Sequence, residues 1–197
     1  MKADEDRLSL YLENFELITK RFTKTEMRAS KTPDFRVVRD GELIFFCEVK
    51  SSPPDRWLDE QLEAAPDEIA GGLRSDPIFN RLSTDIHTAV KQLDAVNSDQ
   101  MYPNVLALVN HDDMCGFNDL LGVLTGNFYG DDGSKYPIYQ QFAQGRIKDE
   151  KHRIHLFIWL DDHKLDRLLF SQTNDAHHST LCTAFGIEQA KIRQIDA

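Results

Sequence analysis

The chain has 197 residues, 41% of them hydrophobic and 28% charged, with a formal net charge of −10. These values predict a single domain over 1–197 with a sizeable core and no membrane association, because no apolar stretch approaches the roughly 20 residues that span a bilayer. The acidic balance argues against an autonomous, non-specific nucleic-acid binder, which would need Lys and Arg to neutralise phosphates.

Cysteine usage and the N-terminal residues bear on the cellular compartment. The three cysteines are widely spaced and form neither a metal-type pair nor a disulfide framework, which is typical of a reducing environment. The first residues are charged and lead into no apolar segment of a secretory signal. We therefore expect a cytoplasmic protein.

The N-terminal part of the chain predicts a helix followed by a β-hairpin. Apolar residues at helical spacing predict an amphipathic helix over 7–22. Asp40-Gly41 is a strong signal for a two-residue turn and predicts a hairpin over 34–50, with arms from Phe35 to Arg39 and from Leu43 to Lys50. Residues 25–30 are a candidate for a preceding strand.

The rest of the chain predicts alternating helices and strands. Residues 51–82 are rich in Pro, Gly and acidic residues and predict an insertion with one or two short helices. Beyond it, helices are predicted over 83–97 (capped by Ser83), 119–128, 136–147 and 175–185, and strands over 105–109 and 154–160. This order predicts an α/β fold with a mixed central sheet flanked by helices.

Two carboxylates and one ammonium are predicted to converge where the hairpin opens. Residues i and i+2 of a strand point to one face, so Glu48 and Lys50 project together while Val49 points towards the core. Asp34 opens the paired arm. The carboxylates of Asp34 and Glu48 suit Mg²⁺, for which we expect Mn²⁺ to substitute, and the Val49 carbonyl is a candidate third oxygen.

Such a site favours phosphodiester hydrolysis. A bound metal polarises a phosphate and lowers the pKa of a water, and Lys50 is placed to orient that water or to stabilise developing negative charge. The alternative is an ion pair between Glu48 and Lys50 on an edge strand, with Pro33-Asp34 serving only as a turn.

Pro33-Asp34 followed by Glu48-Val49-Lys50 resembles the signature of the PD-(D/E)xK nuclease superfamily, which includes restriction endonucleases and Holliday-junction resolvases. The predicted elements over about residues 7–110 also resemble its αβββαβ core, with 111–197 as a C-terminal elaboration of further helices and a strand. The resemblance implies that Asp34 and Glu48 bind the metal and that Lys50 is the catalytic lysine.

Two further site residues are implied by the same resemblance. The superfamily often places a Glu of the first helix in the site, and Glu16 is preferred to Glu13 because it lies nearer the apolar stripe. The second helix often contributes a polar residue, for which Gln92 is preferred to His87. The insertion at 51–82 departs from compact members of the superfamily.

The resemblance implies a Mg²⁺-dependent nuclease that acts on DNA, in restriction, phage defence or repair. Many such enzymes are dimers, so the resemblance implies a possible homodimer. An acidic chain can also bind DNA through a basic protein partner. The alternative function is a nuclease-fold binding or regulatory module that no longer cleaves and acts in a larger complex. The net charge and the insertion favour that alternative.

Other polar and aromatic residues receive structural interpretations. His111-Asp112-Asp113 is predicted to be a solvated turn rather than a substrate contact. Cys47 and Trp159 are expected in the core, whereas Trp57 is a candidate for stacking on bases. The remaining histidines considered lack zinc-type spacing with a cysteine and are predicted at the surface: His152, His155, His177 and His178.

Overall fold

The computed structural model describes residues 2–54, 60, 63, 77–130, 132–138, 147–162, 164–171 and 176–193. Its helices are α1 (Lys2–Glu13), α2 (Lys24–Ala29), α3 (Ile78–Asn97), α4 (Phe117–Thr125) and α5 (Ala176–Ala184). Its strands are β1 (Ile18–Arg21), β2 (Phe35–Arg39), β3 (Glu42–Ser52), β4 (Asn104–Asn110), β5 (Asn127–Tyr129), β6 (Lys135–Pro137), β7 (Leu156–Asp161) and β8 (Arg167–Phe170).

Six strands form one mixed sheet in the order β1-β2-β3-β4-β7-β8. The first three are antiparallel neighbours, β3, β4 and β7 run parallel, and β8 returns antiparallel to β7. Strands β5 and β6 form a separate two-stranded ribbon. The predicted α/β fold with a mixed sheet flanked by helices is therefore confirmed.

The core lies in two layers, one on each face of the sheet. The residues of β4 alternate between the layers, so this strand is buried on both sides and reads as a continuous apolar run. One layer is built by α3 and α4 and includes Ile86, Leu93, Leu120, Leu106, Phe157 and Trp159. The other is built by α1 and α5 and includes Leu8, Leu12, Leu181, Phe45, Val105 and Ile158.

The predicted hairpin and its turn are confirmed. Asp40 and Gly41 both have positive φ, 51° and 87°, which is the backbone of a two-residue type I′ turn. Arg39 then pairs with Glu42, and Phe35 pairs with Cys47 at the other end. Because β3 is longer than β2, its last five residues continue beside β4 without a β2 partner.

The predicted helix over 7–22 is too long, and the predicted strand over 25–30 is wrong. Helix α1 ends at Glu13, Glu16 takes a left-handed conformation with φ of 59°, and the chain returns as β1 beside β2. Residues 24–29 are helical because Thr23 and Glu26 form a reciprocal capping box.

Other boundaries differ for equally local reasons. Ser83 does not cap its helix: α3 begins at Ile78, and the Ser83 hydroxyl bonds to the Phe79 carbonyl at 2.7 Å inside the helix. The helix predicted over 119–128 ends earlier, at Gly126 with φ of 77°. Residues 135–137 are a strand where the helix predicted over 136–147 was to begin, and most of that predicted helix lies outside the described residues. Strand β8 was not predicted.

The strands predicted over 105–109 and 154–160 and the last helix are confirmed within two residues at each end. Cys47 and Trp159 are in the core as predicted. The surface prediction is wrong for His155 and His178, each 5% exposed. Trp57 and most of the predicted insertion lie outside the described residues. No helix in the described ranges is long and apolar enough to span a membrane.

Candidate functional site

The candidate site lies where β3 continues past Cys47, the residue that pairs with Phe35 at the start of β2. Asp34, just before β2, takes the place of a strand partner there. Its Oδ2 accepts a hydrogen bond from the Val49 amide at 2.8 Å, and its own amide donates to Glu48 Oε2 at 3.1 Å. Asp34 is therefore held by the backbone and the side chain of β3 together.

Lys50 links this pair to helix α3. Its Nζ donates to Glu48 Oε1 at 2.6 Å and to Gln92 Oε1 at 3.0 Å. The Gln92 amide donates in turn to the Thr32 carbonyl at 3.3 Å, which fixes the segment leading into Asp34. The structure thus brings Asp34, Glu48, Lys50 and Gln92 together, and we call these four residues the hairpin cluster.

Burial dominates the electrostatics of Glu48, whose side chain is 2% exposed. Loss of solvent raises the pKa of Glu48 from 4.5 to about 7, and the nearby Asp34 carboxylate acts in the same direction. The Lys50 ammonium opposes this rise without cancelling it. Near neutral pH, protonation of the Glu48 carboxyl therefore competes with its ion pair to the Lys50 ammonium.

The Val49 carbonyl is directed towards the hairpin cluster. In a strand, the amide and carbonyl of one residue point to the same side, and the Val49 amide points to Asp34. The Val49 side chain packs on the opposite core layer, among residues of α1 and α5. Two carboxylates and one backbone carbonyl are thus collected on one side of β3.

This donor set fits Mg²⁺. Within the described ranges, no group of three or more His, Cys, Asp or Glu side chains is arranged to hold a metal ion. Mg²⁺ does not need such a group, since it takes one or two carboxylates together with waters and phosphate oxygens. The set contains only oxygen donors, whereas structural zinc prefers nitrogen and sulfur.

Glu16 does not join the hairpin cluster. It is exposed in the turn after α1, just before Ile18, which pairs with Val38. Asp34 precedes Phe35 at the other end of the same strand. At about 3.3 Å per residue, the two carboxylates are separated by roughly 15 Å or more. Glu13 is likewise exposed at the end of α1.

A second polar group, missed by sequence reasoning, lies near the end of β3 on the opposite face of the sheet. Asp4 Oδ2 accepts from the Ser51 hydroxyl at 2.7 Å, and Asp4 Oδ1 pairs with His111 Nε2 at 2.7 Å. His111 Nδ1 bonds to Asp162, which also pairs with Arg7. We call these five residues the histidine cluster.

The histidine cluster corrects the prediction of a solvated turn at 111–113. His111 is held between two carboxylates, and Asp112 is fully buried with Arg81 at 2.7 Å. The contributing residues come from both ends of the sequence, so spacing gave no signal. The one available hint was the position of Ser51, which follows Lys50 and must point to the other face of β3.

Comparison with family models, with curated proteins and with solved structures finds no match to this chain. Function is therefore inferred from the geometry of the site and from the sequence pattern. The hairpin cluster offers two carboxylates for a hard cation, one positioned ammonium and one amide that holds it. The histidine cluster offers a partly exposed ion-pair network that ties α1 to β3 and to the ends of β4 and β7.

Proposed function

We propose that this chain is a Mg²⁺-dependent nuclease of the PD-(D/E)xK type and that it hydrolyses phosphodiester bonds in DNA. In this proposal α1, β1–β3, α3 and β4 form a restriction-endonuclease-like core. The observation that carries the proposal is the contact of Lys50 with both Glu48, at 2.6 Å, and Gln92, at 3.0 Å, beside Asp34. A signature read from the sequence alone did not require these side chains to meet.

The residues of the hairpin cluster have different chemical roles. Asp34 and Glu48, with the Val49 carbonyl, would hold Mg²⁺, which when bound polarises a phosphate and lowers the pKa of a water. Lys50 is held by Glu48 and Gln92, and its side chain is 18% exposed, so it is placed to stabilise negative charge on a phosphate. Gln92 keeps Lys50 positioned when Glu48 is committed to a cation.

A local basic surface supports a nucleic-acid substrate despite the net charge of −10. Lys20, Lys24, Arg28 and Lys31 are exposed on β1, α2 and the segment leading to Asp34. None of the four forms an ion pair with another residue in the part of the chain that the structure describes. We call them the basic strip, and a phosphate backbone lying along it would end at the hairpin cluster.

The second candidate function is a nuclease-fold module that binds without cleaving. It is favoured by the occupancy of the carboxylates: Asp34 Oδ2 and both oxygens of Glu48 already accept hydrogen bonds. A closed cluster of this kind also serves as a structural ion pair. The two functions differ in whether a divalent cation displaces these contacts.

Cleavage assays test the proposal. Plasmid, linear duplex and single-stranded DNA are incubated with the purified protein and Mg²⁺ or Mn²⁺. We expect cleavage by the wild type and a loss of at least about a hundredfold in Asp34→Ala and Lys50→Ala. Lys91→Ala, an exposed neighbour of Gln92 on the same helix, is the matched control and should cut normally. Equal cleavage by all four proteins would refute the site.

Calorimetry with Mn²⁺ separates the two functions when no substrate is cut. Binding of Mn²⁺ that Asp34→Ala abolishes supports the enzyme. DNA binding that survives without any detectable Mn²⁺ binding at millimolar concentration supports the module.

A further inference from the structure

A large cavity lies at the opposite edge of the sheet from the basic strip. It has a volume of about 1160 Å³ and runs beside the edge strand β8, between α4, the β5–β6 ribbon and the segment after α5. Pockets for small ligands occupy about 300–1000 Å³, so this space is ample for a bound molecule. Strands β3 and β8 are three positions apart in the sheet, which separates the cavity from the hairpin cluster by roughly 14 Å.

The described lining of this cavity is cationic, whereas the whole chain is acidic. The lining includes six cationic side chains: Lys135, Lys151, Lys164, Arg167, Lys191 and Arg193. No Asp or Glu occurs among the described lining residues, although 33 of the 197 residues in the chain are acidic. Six cations around one concave surface focus a positive potential that attracts anions.

Ion pairing differs among the cations of the lining. Within the described residues, Arg167 and Arg193 have no ion-pair partner, and Lys191 meets only the exposed Glu188 at 2.8 Å. Lys151 lies deeper, where its Nζ donates to the Leu124 carbonyl at 3.1 Å. Burial lowers the pKa of Lys151, and an anion beside it would stabilise its charged form.

Part of the remaining wall is apolar and aromatic, beside polar side chains that include Asn118, Thr125 and Ser171. Phe117, Leu121 and Phe157 form part of it. Tyr129 also lines the cavity, and its hydroxyl is buried without a hydrogen-bond partner in the described part of the chain. An apolar wall beside a group of cations matches a molecule that combines a planar ring with phosphate.

We propose that this cavity binds a nucleotide-sized organic phosphate, with its phosphate groups on Lys164, Arg167 and Arg193 and its ring against Phe117 and Leu121. The proposal is independent of the nuclease function, because the cavity shares no residue with the hairpin cluster. Guanidinium groups suit phosphate because they donate two parallel hydrogen bonds to it.

Fluorescence anisotropy with N-methylanthraniloyl-ADP tests the proposal. EDTA is present throughout, so that no divalent cation occupies Asp34 and Glu48. We expect saturable binding that ADP and AMP displace, while adenosine and inorganic phosphate displace the probe at least about tenfold less well. No binding of the probe at millimolar protein concentration would overturn the proposal. Displacement by adenosine as effective as by AMP would do so too, because the cations would then have no role.

Charge-reversal variants locate the binding. We expect Arg167→Glu and Arg193→Glu to weaken probe binding at least about tenfold each, and Lys20→Glu, the matched change on the basic strip, to leave it unchanged. All three positions are exposed, and equal thermal unfolding verifies folding. An equal loss in Lys20→Glu would overturn the assignment. If a thymidine 12-mer displaces the probe at a lower concentration than ADP does, the nucleotide proposal is overturned, because the ligand is then a nucleic-acid strand.

Discussion

Glu48 has its charged form disfavoured by its surroundings, and this has a consequence for stability. Its folded pKa of about 7 lies above the ordinary 4.5, so the folded protein binds this proton more tightly than the unfolded chain does. The contribution of Glu48 to stability is therefore complete below pH 4.5 and is lost as the pH rises through 7. A carboxylate held in this way weakens the metal-free protein at alkaline pH.

We expect Glu48→Gln to stabilise the metal-free protein at pH 8 by on the order of 2 kcal/mol, and to change little at pH 4.5. The amide resembles the protonated carboxyl that burial favours. Urea unfolding in EDTA at the two pH values measures the difference. Glu42→Gln, exposed at the start of β3, is the control and should be neutral at both. A variant less stable than the wild type at pH 8 contradicts the expectation.

His111 titrates in the opposite sense. Burial alone would lower its pKa, but hydrogen bonds with Asp162 and Asp4 outweigh burial and raise it above 6.5. The Asp4 carboxyl, despite its own burial, has its pKa lowered to about 2 by hydrogen bonds that include those from Ser51 and His111. The histidine contributes fully below pH 6.5 and the carboxylate fully above 3.8, so their joint contribution is complete between these values.

We therefore expect His111→Asn to destabilise the protein most near pH 5 and progressively less as the pH rises through the raised pKa. Urea unfolding at pH 5 and pH 8.5 measures the change, and an NMR titration of the His111 ring measures the pKa itself. His87→Asn, at an exposed histidine paired with Glu150, provides the comparison. A loss of stability that does not depend on pH would show that His111 acts by packing alone.

At the scale of the elements, the turn of the hairpin sets the register on which the hairpin cluster depends. Gly41 has φ of 87° with open space around its missing Cβ, so a side chain there meets backbone strain rather than a clash. We expect Gly41→Ala to cost about 1–2 kcal/mol, measured by urea unfolding. Gly116→Ala, at φ of −123° with only ordinary contacts, is the control. Equal effects at the two glycines would contradict this account.

The sequence was informative where a pattern had one physical solution. Strict alternation predicted that Glu48 and Lys50 share a face, and Asp40-Gly41 predicted the turn that brings Asp34 opposite Glu48. Helical spacing predicted that Gln92 belongs to the helix after the hairpin. Their meeting still required the packing of α3 on β3, which no local pattern specifies, because the connection between them is long.

Where two local signals competed, the prediction followed the wrong one. The apolar spacing of residues 7–22 continues as if helical past Glu13, but the edge of β2 offers a strand partner to Ile18 and its neighbours. Tertiary pairing outweighed helical spacing there, which is why Glu16 is far from the cluster. The short helix α2 was within reach of sequence reasoning, because Thr23-x-x-Glu26 is a capping-box pattern.

At the scale of the whole molecule, the charge is segregated rather than uniform. The basic strip and the lining of the cavity at β8 collect positive side chains at the two edges of the sheet, although the chain as a whole carries −10. The net charge alone therefore does not describe how charge is distributed over the surface. What a partner experiences at close range is the local surface, because charges beyond about 8–10 Å are screened at physiological salt.

This segregation predicts a specific salt dependence for the proposed DNA binding. We expect Lys24→Gln combined with Lys31→Gln to weaken binding and to make the slope of log K against log salt less steep by about 1–2 units. Anisotropy with a labelled duplex in EDTA, where no cleavage occurs, measures the slope. Arg167→Gln, at the other edge of the sheet, should leave it unchanged. An unchanged slope in the double variant would remove the basic strip from the substrate surface.

At Val49, the Asp34 side chain takes the place of a neighbouring strand as the hydrogen-bond acceptor. The Val49 amide is held by Asp34 Oδ2 at 2.8 Å, so its exchange with solvent deuterium reports a single carboxylate rather than the sheet as a whole. We expect this amide to exchange much faster in Asp34→Ala, while the amides of β4 remain protected as in the wild type. One resonance would then show whether the cluster is assembled, before any substrate or metal is added.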